Sequence, residues 1–173
     1  MYKCRFRLTG LRNQGVGGSL PLFSPNVGAK EMAHLWVRFL VRPHTERTIM
    51  RDEVKRFIEA YRDSFSHGPS AIAAFYSEPC VTARMGNARV NSTRKDTELL
   101  FAEVDRNYRA RGFTHGAIVT MDVHSLGSNS ALATVRWAYK GAEEKTLWET
   151  TFSYNLYRRD GAWKILVQTM HDA

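Results

Sequence analysis

Four long stretches of strand-forming residues, joined by short turns, dominate the last third of the sequence. The expected strands are residues 115–126, 130–140, 146–158 and 162–170. The link Asp160-Gly161 has the length and composition of a two-residue hairpin turn, and the other two links are short as well. Long strands joined by tight turns predict a strongly curved antiparallel sheet, which constrains the fold of this chain more than any other feature.

The Asp160-Gly161 turn also predicts which side chains share a face of the sheet. If it is a type I′ turn, Arg159 pairs with Ala162, and alternate residues of both strands project to the same side. The predicted inner face holds Trp148, Thr150, Phe152, Tyr154, Leu156, Trp163, Ile165, Val167, Thr169 and His171. The predicted outer face includes Glu149, Ser153, Asn155, Leu166, Gln168 and Met170. The preceding hairpin is expected to place inside Ala117, Val119, Met121, Val123, Ala131, Ala133, Val135, Trp137 and Tyr139.

Helix signals precede the long strands. Apolar residues at helical spacing between 54 and 65 predict a first helix, and a short second helix is expected from Ser70. Thr93 with Asp96 three residues later has the form of a capping box and predicts the start of a third helix. A short hairpin with its turn at 86–87 lies between the second and third helices. The sequence therefore predicts an α+β fold in which three N-terminal helices pack on a strongly curved antiparallel sheet.

Residues 1–49 differ in composition from residues 50–173. Residues 1–50 hold 8 basic and 2 acidic side chains, so most of the formal net charge of +8 lies in this leader. Its glycines and prolines, and its lack of a regular apolar period, predict a poorly ordered extension of a single domain. A transit peptide, a basic arm that binds nucleic acid or a membrane, and an over-extended start are the alternatives.

The nearly neutral charge of the domain itself does not favour nucleic-acid binding. The apolar run at residues 35–41 contains Arg38 and is too short to cross a membrane. Cys4 and Cys80 are isolated, and the histidines show no spacing typical of metal ligands, so we expect no metal and no cofactor. We expect a cytoplasmic protein with neither nucleic acid nor membrane as a partner.

The predicted inner face carries many aromatic side chains, and the first two helices add more. Three helices cannot easily fill the concave side of four long bent strands, so an open cavity with a few polar groups is expected there. The alternative is a solid core in which the tyrosine hydroxyls reach the rim or a backbone partner. The residues expected to contact a small-molecule ligand are Tyr61, Tyr76, Met121, Trp137, Phe152 and Tyr154.

Several motifs accompany this order of elements: the helix at 54–61, the Phe75-Tyr76 segment before a short strand, the hairpin at 127–131 leading to Trp137, the run at 157–165 and His171. Over roughly residues 51–172, the chain resembles the nuclear transport factor 2-like superfamily of cone-shaped α+β barrels, and within it the SnoaL-like proteins. These motifs are packing and turn residues, which define a fold better than an activity. The superfamily includes ketosteroid isomerase, scytalone dehydratase, polyketide cyclases and limonene epoxide hydrolase, besides many members without catalysis.

His171 is the one histidine that strand alternation places on the predicted inner face, where an imidazole could act as a general acid or base. The alternative is a structural histidine at the end of a strand. If the chain is an enzyme, the resemblance implies isomerisation, dehydration or cyclisation without a cofactor, with Tyr61 or Tyr76 polarising a carbonyl. The inner face of the long strands carries no carboxylate, so the isomerase and epoxide hydrolase patterns are not matched.

Two functions are compatible with these features. In the first, the cavity binds a small apolar or aromatic molecule, with or without proton-transfer chemistry. In the second, the chain is a non-catalytic interaction module that forms a homodimer through the outer sheet face. That face mixes polar side chains with Leu166 and Met170, a composition compatible with a moderately polar interface. The two functions do not exclude each other, because members of this superfamily are commonly dimers.

Overall fold

The computed structural model describes residues 48–172. The helices are α1 (residues 48–64), α2 (Pro69–Ala73) and α3 (Arg94–Ala110), with 3₁₀ turns at Phe65–His67 and Ala142–Glu144. The strands are β1 (Tyr76–Arg84), β2 (Asn87–Asn91), β3 (His115–Ser125), β4 (Ser130–Lys140), β5 (Thr146–Arg159) and β6 (Ala162–Met170). Most of the predicted leader, residues 1–47, lies outside the described residues, while residues 48–49 belong to α1.

The six strands form one sheet in the order β2-β1-β6-β5-β4-β3. Neighbouring strands are antiparallel except for β1 and β6, which run parallel. The helices cover one face of the sheet, and the core between them includes Val54, Ile58, Phe101, Val135, Phe152 and Ile165. The predicted α+β fold of three helices on a curved, largely antiparallel sheet is confirmed. The predicted bounds of β4 and β6 coincide with the observed ones.

The last hairpin turn has the geometry that its sequence predicts. Asp160 and Gly161 both have positive φ, 51° and 79°, as a type I′ turn requires, and Arg159 pairs with Ala162. The β1–β2 turn is of the same kind but lies one residue earlier than predicted, with positive φ at Met85 and Gly86. The register of the last hairpin therefore begins as the sequence predicts.

A bulge in β6 then reverses the alternation of side chains. The predicted pairing holds as far as Leu156 with Ile165, but Asn155 pairs with Val167, so Leu166 is an extra residue in β6. Beyond the bulge, Gln168 and Met170 face inward, although both were predicted to lie on the outer face. The predicted inner positions of Val167, Thr169 and His171 are wrong for the same reason, because a shift of one residue exchanges the two faces.

A second bulge, at Val119, affects β3 in the same way. Met121 and Val123 are on the inner side as predicted, and Val123 is fully buried. Past the bulge, Ile118 packs against the core in place of the predicted residues, and Val119 is 44% exposed. The predicted inner positions of Val119 and Ala117 are therefore wrong.

The start of α3 is fixed by the predicted capping box. The Thr93 hydroxyl accepts a hydrogen bond from the Asp96 backbone N–H at 3.2 Å, and the Asp96 carboxylate accepts one from the Thr93 backbone N–H at 2.9 Å. The hydrogen bond from the Thr93 backbone, followed by that from its hydroxyl, lowers the pKa of Asp96. The cap sets where α3 begins, and thereby which of its side chains face the concave side of the sheet.

None of the helices in residues 48–172 combines the length and the apolar character that a membrane span needs.

Candidate ligand-binding site

A cavity of about 390 Å³ opens between the concave face of the sheet, α1, α3 and the β1–β2 hairpin. Its walls are mainly aromatic and aliphatic, and include Tyr61, Phe65, Phe101, Tyr108, Trp137 and Phe152. Volumes of this size are typical of sites for small organic molecules. The interior of the domain is therefore not a solid core.

Four of the six predicted ligand-contacting residues line this cavity: Tyr61, Trp137, Phe152 and Tyr154. Tyr76 does not line it but lies directly behind Tyr61, with the two hydroxyl oxygens 2.7 Å apart. Met121 packs against the core outside the cavity lining. That these six side chains contact a ligand stays a prediction. The structure places four of them in the cavity wall and a fifth, Tyr76, in contact with the wall residue Tyr61.

A chain of hydrogen bonds runs along the floor of the cavity. The Tyr76 hydroxyl donates to Gln168 Oε1 at 2.5 Å, which uses its only hydrogen. The Tyr61 hydroxyl must therefore donate to Tyr76. Among residues 48–172, nothing accepts a hydrogen bond from the amide nitrogen of Gln168, a cavity-lining side chain, so this nitrogen is an unused donor.

Tyr154 supplies a second free donor in the cavity wall. Its oxygen accepts a hydrogen bond from Trp137 Nε1 at 3.0 Å, and within the described part of the chain its own hydrogen has no acceptor. Burial raises the pKa of Tyr154 well above its usual value near 10, and the same holds for Tyr61, Tyr76 and Tyr139. All four phenols are therefore neutral at physiological pH and act as hydrogen-bonding groups, not as charges.

His171 lies on the other side of the sheet. It is exposed, and its Nε2 is 2.7 Å from the hydroxyl oxygen of Ser153 on the outer face. The bulge at Leu166 is the cause, because it moves every later residue of β6 to the opposite face. Among the described residues that line the cavity, none is a histidine, an aspartate or a glutamate.

Sequence reasoning missed two groups of lining residues. Gln168 and Met170 were assigned to the outer face, and no signal in the sequence marks the bulge that turns them inward. Arg84 and Arg89 come from the β1–β2 hairpin, which was not predicted to lie near the cavity. Here the alternation of β1 does carry a signal, since Arg84 shares its face with the fully buried Cys80.

In residues 48–172, no three histidine, cysteine, aspartate or glutamate side chains come together as a metal site would require.

The fold and the cavity define a class of protein: an α+β barrel whose helices and curved sheet enclose an aromatic-lined chamber. Within this class, the sequence model of the NTF2-like protein family DUF6841 matches residues 52–173. The chain belongs to this NTF2-like family. No curated protein matches the sequence.

Solved structures of the same fold agree with this assignment. An NTF2-like protein of unknown function from Shewanella oneidensis is 17% identical, with a TM-score of 0.57, over 70% of this chain and 98% of that one. A protein from Novosphingobium aromaticivorans described as a candidate scytalone dehydratase is 12% identical, with a TM-score of 0.57, over 75% and 88% of the two chains. A candidate calcium/calmodulin-dependent protein kinase II association domain from Xanthomonas campestris is 18% identical, with a TM-score of 0.54, over 68% and 84%. At these identities the likeness is one of fold alone.

Proposed function

We propose that this domain binds a small, largely apolar or aromatic molecule in the cavity between its helices and its sheet. The observation that carries the proposal is the cavity itself, whose volume of about 390 Å³ and aromatic walls suit such a ligand. Burial of apolar ligand surface against these walls supplies the affinity, at about 25 cal/mol for each Å² removed from water.

Two neutral donors give the cavity its polar recognition. The hydroxyl of Tyr154 and the amide nitrogen of Gln168 have no acceptor among residues 48–172, and both side chains line the cavity. A ligand that leaves such a donor unpaired pays the cost of desolvating it, whereas a ligand with a suitably placed acceptor does not. The preferred ligand therefore carries a carbonyl, ether or hydroxyl oxygen within its apolar body.

The chemistry of the lining supports binding without turnover. Proton-transfer catalysis at neutral pH uses a side chain whose pKa lies near the operating pH. The titratable side chains in the described lining are arginines and tyrosines, and burial holds the pKa values of Tyr61, Tyr139 and Tyr154 well above their usual range. His171, the predicted proton-transfer residue, lies on the outer face and has no place in this proposal.

A neutral fluorescent probe, N-phenylnaphthylamine, tests the proposal on the full chain. Leu100 lines the cavity from α3, whereas its neighbour Leu99 is 56% exposed and does not. Leu100→Trp places an indole in the chamber, and Leu99→Trp makes the same change on the solvent side of the same helix. We expect saturable probe binding by the natural chain and by Leu99→Trp, and loss of binding in Leu100→Trp, with circular dichroism showing that both variants are folded.

Equal probe binding by the two folded variants would mean that the probe sits elsewhere and that the cavity is not the binding site.

The homodimer expected through the outer face stays a prediction.

A further inference from the structure

We propose that the ligand of this cavity is an organic anion, with an apolar body in the chamber and an acidic group held at the mouth by Arg84 and Arg89. This inference rests on the proposed function and specifies its ligand class. It comes from the charge of the lining. Three arginines, Arg62, Arg84 and Arg89, line the cavity, and no carboxylate does among the described residues. The whole chain has 17 Asp and Glu, so acidic residues are not scarce.

The register of the β1–β2 hairpin turns both arginines toward the cavity. Thr82 pairs with Arg89, and Arg84 pairs with Asn87, so the two arginines are diagonal neighbours on one face of the hairpin. The paired residues Cys80 and Asn91, further along the same face, are fully buried beneath α3. Arg84 and Arg89 therefore continue the inner face outward to the point where the cavity meets solvent.

The spacing of the two arginines suits a single acidic group. Diagonal neighbours on adjacent strands lie roughly 7 to 8 Å apart, within reach of two long side chains that converge on one anion. A guanidinium binds carboxylate, sulfonate or phosphate oxygens through paired N–H donors, which gives such a contact directional specificity.

No carboxylate among residues 48–172 forms an ion pair with Arg84 or Arg89. Arg62, by contrast, is neutralised by Asp63, with an N–O distance of 2.8 Å. Two like charges side by side repel each other, and an anion at the mouth would relieve that repulsion.

Electrostatic effects on nearby groups agree with these positions. Burial raises the pKa of Tyr139 in the cavity wall, and the positive charge of Arg84 acts against that increase, as expected for a guanidinium facing the wall. The pKa of Asp96 is lowered first by its hydrogen bonds from Thr93, and Arg89 contributes only the smallest part. Arg89 and Asp96 do not form an ion pair among the described residues.

A matched pair of probes tests the charge preference. Anilinonaphthalene sulfonate and N-phenylnaphthylamine share one aromatic skeleton and differ in the sulfonate. We expect the natural chain to bind the sulfonate about tenfold more tightly at low ionic strength, since Arg84 and Arg89 are exposed and each exposed ion pair contributes roughly two- to fivefold. The preference should shrink as salt is added, because salt screens charges at the mouth.

The double variant Arg84→Gln/Arg89→Gln should lose this preference and bind the two probes with equal affinity. The control is Lys55→Gln/Arg106→Gln, which removes the same net charge at exposed positions outside the cavity lining and should keep the preference. A preference that persists in Arg84→Gln/Arg89→Gln, or is absent from the natural chain while the neutral probe binds, overturns this inference alone. If neither probe binds the natural chain, the proposed function fails, and the inference with it.

Discussion

The hydrogen-bond chain on the cavity floor predicts different costs for two substitutions that each remove one hydroxyl. Tyr61 stands at the donor end of the chain and Tyr76 in its middle, between Tyr61 and Gln168. Tyr61→Phe deletes one hydrogen bond and leaves Tyr76 still donating to Gln168. Tyr76→Phe deletes two hydrogen bonds and leaves both the Tyr61 hydrogen and Gln168 Oε1 without a partner.

The magnitudes follow from burial. Tyr61 is 1% exposed and Gln168 is half-buried, so bulk water does not readily solvate the Tyr61 hydroxyl that Tyr76→Phe leaves unpaired. A net hydrogen bond contributes about 1 kcal/mol, and a buried group left unpaired costs roughly 1 to 3 kcal/mol. We expect Tyr61→Phe to lower the free energy of unfolding by about 1 kcal/mol and Tyr76→Phe by about 2 to 4 kcal/mol.

Urea denaturation followed by circular dichroism measures both values, provided that the slope of unfolding free energy against urea is unchanged. Tyr157→Phe is the control, because Tyr157 is half-buried on the outer face and makes no side-chain hydrogen bond among the described residues. It should change stability by less than about 0.5 kcal/mol. If Tyr61→Phe costs as much as Tyr76→Phe, the order of donors assigned to the cavity floor is wrong.

Two further stability changes follow from the cap of α3 and the bulge of β6. Thr93→Ala should lower the free energy of unfolding by about 1 kcal/mol in urea denaturation at neutral pH. The pKa of Asp96 in the folded state lies below 3.8, so the contribution of its carboxylate to the cap is present above that pH. This contribution is lost as the pH falls through the folded pKa. A pH titration in which the contribution of Asp96 vanishes above pH 3.8 would contradict the prediction. Ile165→Ala, at a fully buried position, should cost about 3 kcal/mol, whereas Leu166→Ala at the exposed bulge should cost less than about 0.5 kcal/mol; similar losses at both sites would contradict the burial of Ile165 and the exposure of Leu166.

The parts of the fold that depend on local chemistry were predictable from the sequence. The type I′ turn at Asp160-Gly161 and the capping box at Thr93 each need particular residue types at fixed spacing, and both are present. The inner positions of Tyr61 and Trp137 follow from helical and strand periodicity near these fixed points.

The wrong face assignments in the long strands all lie at or beyond a β-bulge. Leu166 and Val119 are extra residues that interrupt a period of two, and neither differs in type from an ordinary strand residue. A bulge is favoured by how the sheet bends over its core, which is a tertiary effect. The face assignment was therefore reliable near each turn and wrong at the far end of β6, where it had placed His171 inside.

The bulge in β3 also affects how this sheet meets other molecules. Within the described residues, β3 is an edge strand of 11 residues, paired on one side only with β4. The unpaired backbone groups along an edge of that length form a template for uncontrolled association with other chains. The extra residue at Val119 breaks the regular row of backbone donors and acceptors, and the side chain of Arg51 from α1 donates to the Val123 carbonyl at 2.9 Å. Together they leave this margin of the sheet a poor template for aggregation.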